Sequence, residues 1–286
     1  MVISAEQSLV DGDLENTLVQ LIEQIRNEPA NPKLRIFLFQ LSCVMGDWAR
    51  AQTQLDVLKD MDASSLAMVQ TYSEALRCEA LRSEVFAGKH SPLIFGEPER
   101  WMALLFQALR LTAENKHVES QEVREQAFEL APATSGTIGG EGETSFEWIA
   151  DADIRIGPLL EVIINGKYYW VPFNRIRTIN IDPPADLRDM VWLPAYFTWS
   201  NGGETVGLIP TRYPGSEASE DSQIRLSHKT IWQQLDADIY LGLGQRLLTT
   251  DAGDYSLLDL REITFDVQSD DMAMAQSQDS STVKEL

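Results

Sequence analysis

Cysteine is nearly absent from the chain: Cys43 and Cys78 are the only two in 286 residues. Two thiols among apolar, helix-like neighbours make no disulfide framework, and the expectation is a pair of buried free thiols in a reducing compartment. Histidine is as scarce, with His90, His117 and His228 alone. A Ser/His/Asp or Cys/His mechanism needs an imidazole held beside its nucleophile, and none of the three stands in a recognisable motif. His90 falls in a polar turn, His117 in an inter-helix turn, and His228 follows Ser227 without a Gly-x-Ser-x-Gly elbow. Neither His nor Cys clusters at ligand spacing, so no metal site of that kind is expected. Positive charge is short too. The 23 Lys and Arg against 44 Asp and Glu leave a net charge of −21, the wrong sign for neutralising phosphates. Nucleic acid and anionic membranes are excluded as expected partners. No apolar stretch approaches the roughly 18 residues of a membrane span, and the start MVISAEQSLVDGDLE lacks a basic region followed by an apolar one. The chain therefore reads as cytoplasmic.

What is present is patterning. Over residues 1–132 apolar positions recur at threes and fours, as in Leu14, Leu18, Leu21, Ile22 and Ile25, and again in Leu55, Leu58 and Met61. Gly12-Asp13-Leu14 and Gly46-Asp47-Trp48 each end one helical run and open another, and the glycines are 34 residues apart, the tetratricopeptide period. Taking Asn115 as a third turn residue extends the register, with Leu14, Trp48 and His117 two positions after the turn. Around Gly88 to Pro98 the pattern is lost, which implies a distorted repeat or an insertion. Three to four helical hairpins result, stacked around a common core with a curved groove of the kind that holds a peptide or helix.

Residues 133–145, ATSGTIGGEGETS, carry four glycines and no apolar period, and read as a Gly-rich linker or long loop. They are no phosphate cradle, because no Lys-Ser or Lys-Thr follows and no strand precedes. From Phe146 the period changes to two. The run 159–164, then Asn165-Gly166, then 167–172 makes a hairpin signal of type I′. Further strands are expected at 176–181, 191–197, 205–211 and 260–267, with helices at 230–235 and near 244–248. The tail 267–286 is rich in Ser, Gln and Asp and reads as disordered, with Met272 and Met274 as its only large apolar residues apart from Val267, Val283 and Leu286. The fold class is thus α+β in two domains: a TPR-like α-α superhelical array over 1–132, the linker 133–145, and a mainly β (α+β) domain over 146–266.

Two places invite chemistry. Asp151 and Asp153 alternate with apolar residues, so in a strand both face one side, where they could bind a divalent cation or act as acid and base. Asp236 and Asp238 repeat that spacing. With no third ligand identifiable, the competing reading is a solvated strand face or salt bridging with Arg155. Arg212, Tyr213 and Glu217 lie on a turn set by Pro214-Gly215, where a recognition loop competes with a turn packed by Tyr213 and pinned by Arg212.

The run 148–173, WIADADIRIGPLLEVIINGKYYWVPF, together with Leu187-Arg188-Asp189, Trp192-Leu193-Pro194-Ala195, the stretch PTRYPGSE, Gly244-Gln245-Arg246 and Leu257-Leu258-Asp259-Leu260-Arg261, resembles the ImpE/SciE family, also called TagJ-like, of bacterial type VI secretion accessory proteins. The resemblance spans about residues 1–265, with its specific motifs in the second domain. It implies a cytoplasmic, non-enzymatic adaptor without cofactors, with a tetratricopeptide-like first domain, whose partners are the small subunit of the contractile sheath and the Clp-type AAA+ ATPase that recycles it. It supplies no catalytic residues; Trp148, Asp151, Asp153, Arg155, Arg212, Tyr213 and Glu217 stand as a motif cluster of unassigned role. If the array keeps tetratricopeptide geometry, counting back from Gly46 and Asn115 places Ile36, Gln40, Met102, Leu105 and Leu109 on groove-facing helices that could grip a partner helix, against the reading that the apolar ones are core. The alternative function is a metal-dependent hydrolase or nucleotide-binding module using Asp151 and Asp153 with Arg155 or Arg212.

Overall fold

Three turns shape the first half of the chain in the computed structural model, which describes residues 4–139, 142–236 and 239–267. Gly12, Gly46 and Asn115 all adopt left-handed backbone, at φ 77°, 73° and 60°. Each closes a helix in the same way: the Gly12 amide donates to the Leu9 carbonyl at 3.0 Å and the Asp13 amide to the Ser8 carbonyl at 2.9 Å. The amide pairs at Gly46-Asp47 and Asn115-Lys116 repeat those bonds, so orphan carbonyls at the helix ends are satisfied. Asp13 and Asp47 then cap the following helices by accepting from the amides of Asn16 and Arg50. The hairpins so formed are α1 (Ala5–Val10) with α2 (Leu14–Asn27), α3 (Pro32–Val44) with α4 (Trp48–Met61), and, beyond a single long helix α5 (Leu66–Phe86), α6 (Arg100–Ala113) with α7 (His117–Leu130).

The stretch where the repeat pattern fails has a positive structural role. Gly88 ends α5 with the same left-handed turn, but the chain then forms β1 (Leu93–Ile94) rather than another helix. This strand joins the sheet of the second half, parallel to β6 (Lys167–Pro172) and in register Leu93↔Tyr169. Phe95 follows it and packs its ring, tilted by 32°, against that of Trp199 with centroids 4.2 Å apart.

After α7 the strands are β2 (Gly136–Gly139), β3 (Thr144–Phe146), β4 (Ile149–Asp151), β5 (Leu159–Ile164), β6, β7 (Ile176–Asn180), β8 (Trp192–Trp199) and β9 (Glu204–Pro210). A short helix α8 (Ser222–Arg225) precedes β10 (Thr230–Asp236), β11 (Ile239–Gly244), β12 (Leu247–Thr250), β13 (Gly253–Ser256) and β14 (Glu262–Phe265). Nine strands make one sheet in the order β1-β6-β5-β9-β8-β7-β14-β2-β3, while β13-β12-β4 and β10-β11 form smaller sheets. Asn165 and Gly166 take the two left-handed positions, φ 49° and 70°, that the β5–β6 hairpin turn requires.

Three sequence expectations change here. Residues 230–235 are the strand β10 rather than a helix: Thr230 and Ile231 are β-branched, and the register Thr230↔Gly244 is supplied by a partner strand outside any local window. Residues 244–248 are likewise no helix, since Gly244 ends β11 and Leu247 opens β12. The Gly-rich stretch 133–145 contributes β2 and the start of β3 instead of a free linker, because Gly136, whose added Cβ would stand 2.2 Å from the Thr264 carbonyl, lets β2 lie tight against β14. The expected tail 267–286 falls, from residue 268 on, outside the described residues, as does Asp238.

The two halves share one core. Strand β5 is buried at every position, with Leu159 and Ile163 packed toward the helices and Leu160, Val162 and Ile164 toward the opposite side. Aromatic rings fill the seam: Trp192 lies 6.0 Å from Trp48 and 5.8 Å from Tyr72, and Trp170 lies 5.7 Å from Phe86 and 5.3 Å from Phe106. The hairpin turns also interlock with the second half. A Cβ on Gly46 would meet Glu217 Cγ at 2.7 Å, so the α3–α4 turn sits directly on the 216–218 segment. Gly46→Ala is therefore expected to lower the thermal midpoint more than Gly202→Ala, a residue also at positive φ but with nothing within 4 Å of an added Cβ. The Gly202 change isolates the left-handed backbone penalty of about 1–2 kcal/mol; equal losses at the two sites would deny the interlock.

Candidate functional site

Glu161 occupies the centre of β5, on the side facing the helices, with no exposed surface. A carboxylate there is tolerable only if paired. Arg82, from α5, donates Nε to Glu161 Oε1 at 2.6 Å and Nη2 to Oε2 at 3.0 Å, and the same Nη2 reaches the Arg212 carbonyl at 2.9 Å. Arg246, between β11 and β12, pairs with both Glu161 and Asp151, and its Nε donates to the Pro210 carbonyl at 2.9 Å. Tyr168 donates its hydroxyl to Glu161 and accepts from the Trp170 indole at 2.6 Å. Glu79, one helical turn before Arg82, lies 3.4 Å from it and accepts the Trp192 indole at 2.9 Å. The chain of charges thus runs from α5 through β5 to the β4 end.

Its far end contains the aspartates singled out by spacing. Asp151 accepts from the Tyr213 hydroxyl at 3.1 Å and the Asp153 amide at 2.8 Å, in addition to Arg246. Asp153 is bound by the Arg155 amide and guanidinium and by the Gly242 amide at 3.0 Å. Both aspartates are buried, at 3% and 0% exposed, and their oxygens are engaged by cations and amides. The salt-bridge expectation with Arg155 describes Asp153; a solvated face does not. This arrangement removes the free oxygen ligands that the metal-dependent hydrolase reading requires, and no group of three or more His, Cys, Asp or Glu suited to a metal exists among the described residues.

Arg212 performs a separate task. Its two terminal nitrogens donate to the carbonyls of Val44 and Cys43 at 2.7 and 2.8 Å, and Nη1 also to the Arg225 carbonyl at 2.6 Å. A guanidinium thereby caps the C-terminal end of α3 from the second half of the chain, where the helix dipole favours positive charge. Arg225 in turn donates to Glu15 of α2 at 2.9 Å. The stretch read as a recognition loop recognises the protein's own helices.

Protonation follows from this geometry. Burial alone would raise Glu161, but the Arg82 and Arg246 guanidiniums outweigh it and hold the carboxyl down at about 2. Asp151 goes the other way: burial pushes it up to about 7 against the pull of Arg246, with the neighbouring Asp153 adding to the rise. Glu161 commands two guanidiniums and Asp151 shares one, which accounts for the opposite signs. Burial lowers Arg212, which has carbonyl partners in place of a carboxylate.

Of the residues singled out by sequence, Asp151, Asp153, Arg155 and Tyr213 meet in this network, with the Arg212 carbonyl at its edge. Glu217 is half-buried against Gly46, and Trp148 stands apart, 40% exposed. The expected grip does not exist as a surface: Gln40, Met102, Leu105 and Leu109 are buried at 8, 0, 1 and 4% exposure, and Ile36 is half-buried against the same core. Met102, Leu105 and Leu109 belong to the core that both halves share. Sequence reasoning missed Glu161, Arg82, Glu79 and Arg246. The available signal was Glu161 itself, the single charge in an apolar strand, which demands a buried cation without saying which.

The ImpE protein family matches residues 143–264. Over 262 residues the chain is 53% identical to the type VI secretion system accessory component TagJ of Pseudomonas aeruginosa, covering 92% of this chain and 91% of that protein. Among solved structures it is similar to the crystal structure of protein VPA1032 from Vibrio parahaemolyticus, at a TM-score of 0.81 and 27% identity, over 91% of this chain and 97% of that one.

Glu161→Gln leaves two buried guanidiniums short of charge and is expected to destabilise by about 3–5 kcal/mol at pH 7. Because the Glu161 carboxyl is depressed to about 2, its contribution is present above the ordinary carboxylate range and fades as pH falls toward 2. Asp151, raised to about 7, contributes most below that range and loses its contribution as pH rises through 7. Thermal melts from pH 3 to 8 should therefore show Asp151→Asn becoming less harmful with rising pH and Glu161→Gln more harmful. Parallel pH profiles for the two variants would refute this division of charge.

Proposed function

The chain belongs to the ImpE family, that of the type VI secretion accessory component TagJ, and from this premise we propose that it is a cytoplasmic, non-enzymatic adaptor of such a system. In this reading it binds the small contractile-sheath subunit and bridges or modulates the Clp-type ATPase that recycles the sheath. The observation that supports it most is how the ionisable groups are used. The densest cluster, Asp151, Asp153, Glu161, Arg82, Arg155 and Arg246, is buried and mutually bonded, so it holds helices to sheet rather than facing a substrate. Among the described residues no helix is long and apolar enough to cross a membrane. The exposed apolar side chains, by contrast, offer surface for protein partners.

The direct test mixes the full-length protein with the sheath small subunit, and separately with the ATPase, in size-exclusion chromatography with light scattering. One co-eluting species of summed mass with the sheath subunit is the expected result. Independent elution from both proteins at tens of micromolar would overturn the adaptor reading.

A further inference from the structure

Between the end of α7 and strand β4 lies a groove of about 350 Å³, lined by Phe128, Pro132, Trp148, Ile154 and Pro158 among others. Phe128 and Trp148 are 39% and 40% exposed, so two large aromatic side chains face water at one place. The wall is preformed. Gly157 has φ +56°, and a Cβ there would stand 2.6 Å from Phe128 Cε1, so the ring lies across the turn that follows Asp153. Exposed carboxylates neighbour the two rings along the chain: Glu125 and Glu129 three residues before and one after Phe128 on α7, and Glu147 directly before Trp148. Asp251 joins them, accepting the Glu147 amide at 2.8 Å. No Lys, Arg or His is among the described residues lining the groove.

We propose that this groove docks a short apolar segment flanked by lysine or arginine, presented by another protein. The apolar floor and aromatic walls fit Leu- or Met-sized anchors, and the carboxylates complement flanking cations and disfavour acidic competitors. A second copy of this chain, at −21, carries an acidic excess, and its own sequence beyond residue 267 sets Met272 and Met274 directly after Asp270 and Asp271. Charge complementarity selects the basic partner segment over both. The inference rests on the adaptor reading only in requiring a protein partner.

Fluorescence anisotropy with the full-length protein and a fluorescein-labelled synthetic leucine–lysine peptide tests it, with a serine–lysine peptide of equal charge as reference. The leucine–lysine peptide should bind, the serine–lysine peptide should bind far more weakly, and Phe128→Glu and Trp148→Glu should each weaken binding at least about tenfold, the loss of an anchoring aromatic. Both side chains are substantially exposed, so either variant serves if the other folds poorly; Val19→Glu, exposed on α2, should bind as wild type. Equal binding of the two peptides, or no loss in either aromatic variant, overturns the proposal. Tighter binding by the Met272→Glu, Met274→Glu chain would give the groove to the chain's own end, and a dimer dissociated by Phe128→Glu would give it to a second copy; either overturns it. A retained sheath-subunit complex alongside a failed peptide assay would remove the groove proposal and leave the adaptor reading intact.

Discussion

Glu161 lies midway along a strand with both faces covered, and a carboxylate in that position must be met by cations delivered from elsewhere in the chain. Arg82 arrives from α5, 79 residues earlier, and Arg246 from the β11–β12 junction, 85 residues later. Satisfying one buried charge therefore fixes where a helix, the central hairpin and a late connection sit relative to one another. Glu79, carried on the same helical face as Arg82, extends the constraint to Trp192 and so to β8. Such an ion chain is weak evidence for stability in itself, since well-packed apolar residues could replace it, but losing one member leaves uncompensated charge. Its bonds tie α5 to β5, to β8 and to the β11–β12 junction in one relative placement.

That placement changes what the helical half can do. The helices whose side chains would line a peptide groove in an isolated array have them buried, Gln40 on α3 and Met102, Leu105 and Leu109 on α6, the last three within the core that both halves share. Arg212 closes the end of α3, and the turn at Gly46 sits on the 216–218 segment. Partner surface must then be sought on the outside, where exposed apolar side chains include Phe128 and Trp148, which line one groove. Both halves contribute to that groove, α7 from one and β4 from the other, so a partner there would read their junction.

Local chemistry was legible in the sequence. Gly12, Gly46 and Asn115 announce helix ends because left-handed backbone selects glycine and asparagine, and Asn165-Gly166 announces a hairpin for the same reason. The α+β character and the strands β5 to β9 follow from the change in apolar period at Phe146. The likeness to the ImpE family was legible in motifs such as Pro210 to Glu217, although their role was not. What local pattern cannot carry is a partner far along the chain. Strand β10 resembled a helix because Ile231 and Leu235 are four apart, and only β11 decides otherwise. Strand β1 is two residues long and owes its existence to β6, and Asp151 and Asp153 drew notice by spacing while the guanidinium that engages Asp151, Arg246, lies 95 residues away.

Buried charge and a shared aromatic seam bind helices and sheet into one cooperative unit. Differential scanning calorimetry of the full-length protein, followed in parallel by far-ultraviolet and near-ultraviolet circular dichroism, tests it most directly. A single transition is expected, in which helical and aromatic signals are lost together, with calorimetric and van't Hoff enthalpies in agreement. Two separable transitions, with helical signal lost while the aromatic signal of the sheet persists, would contradict it.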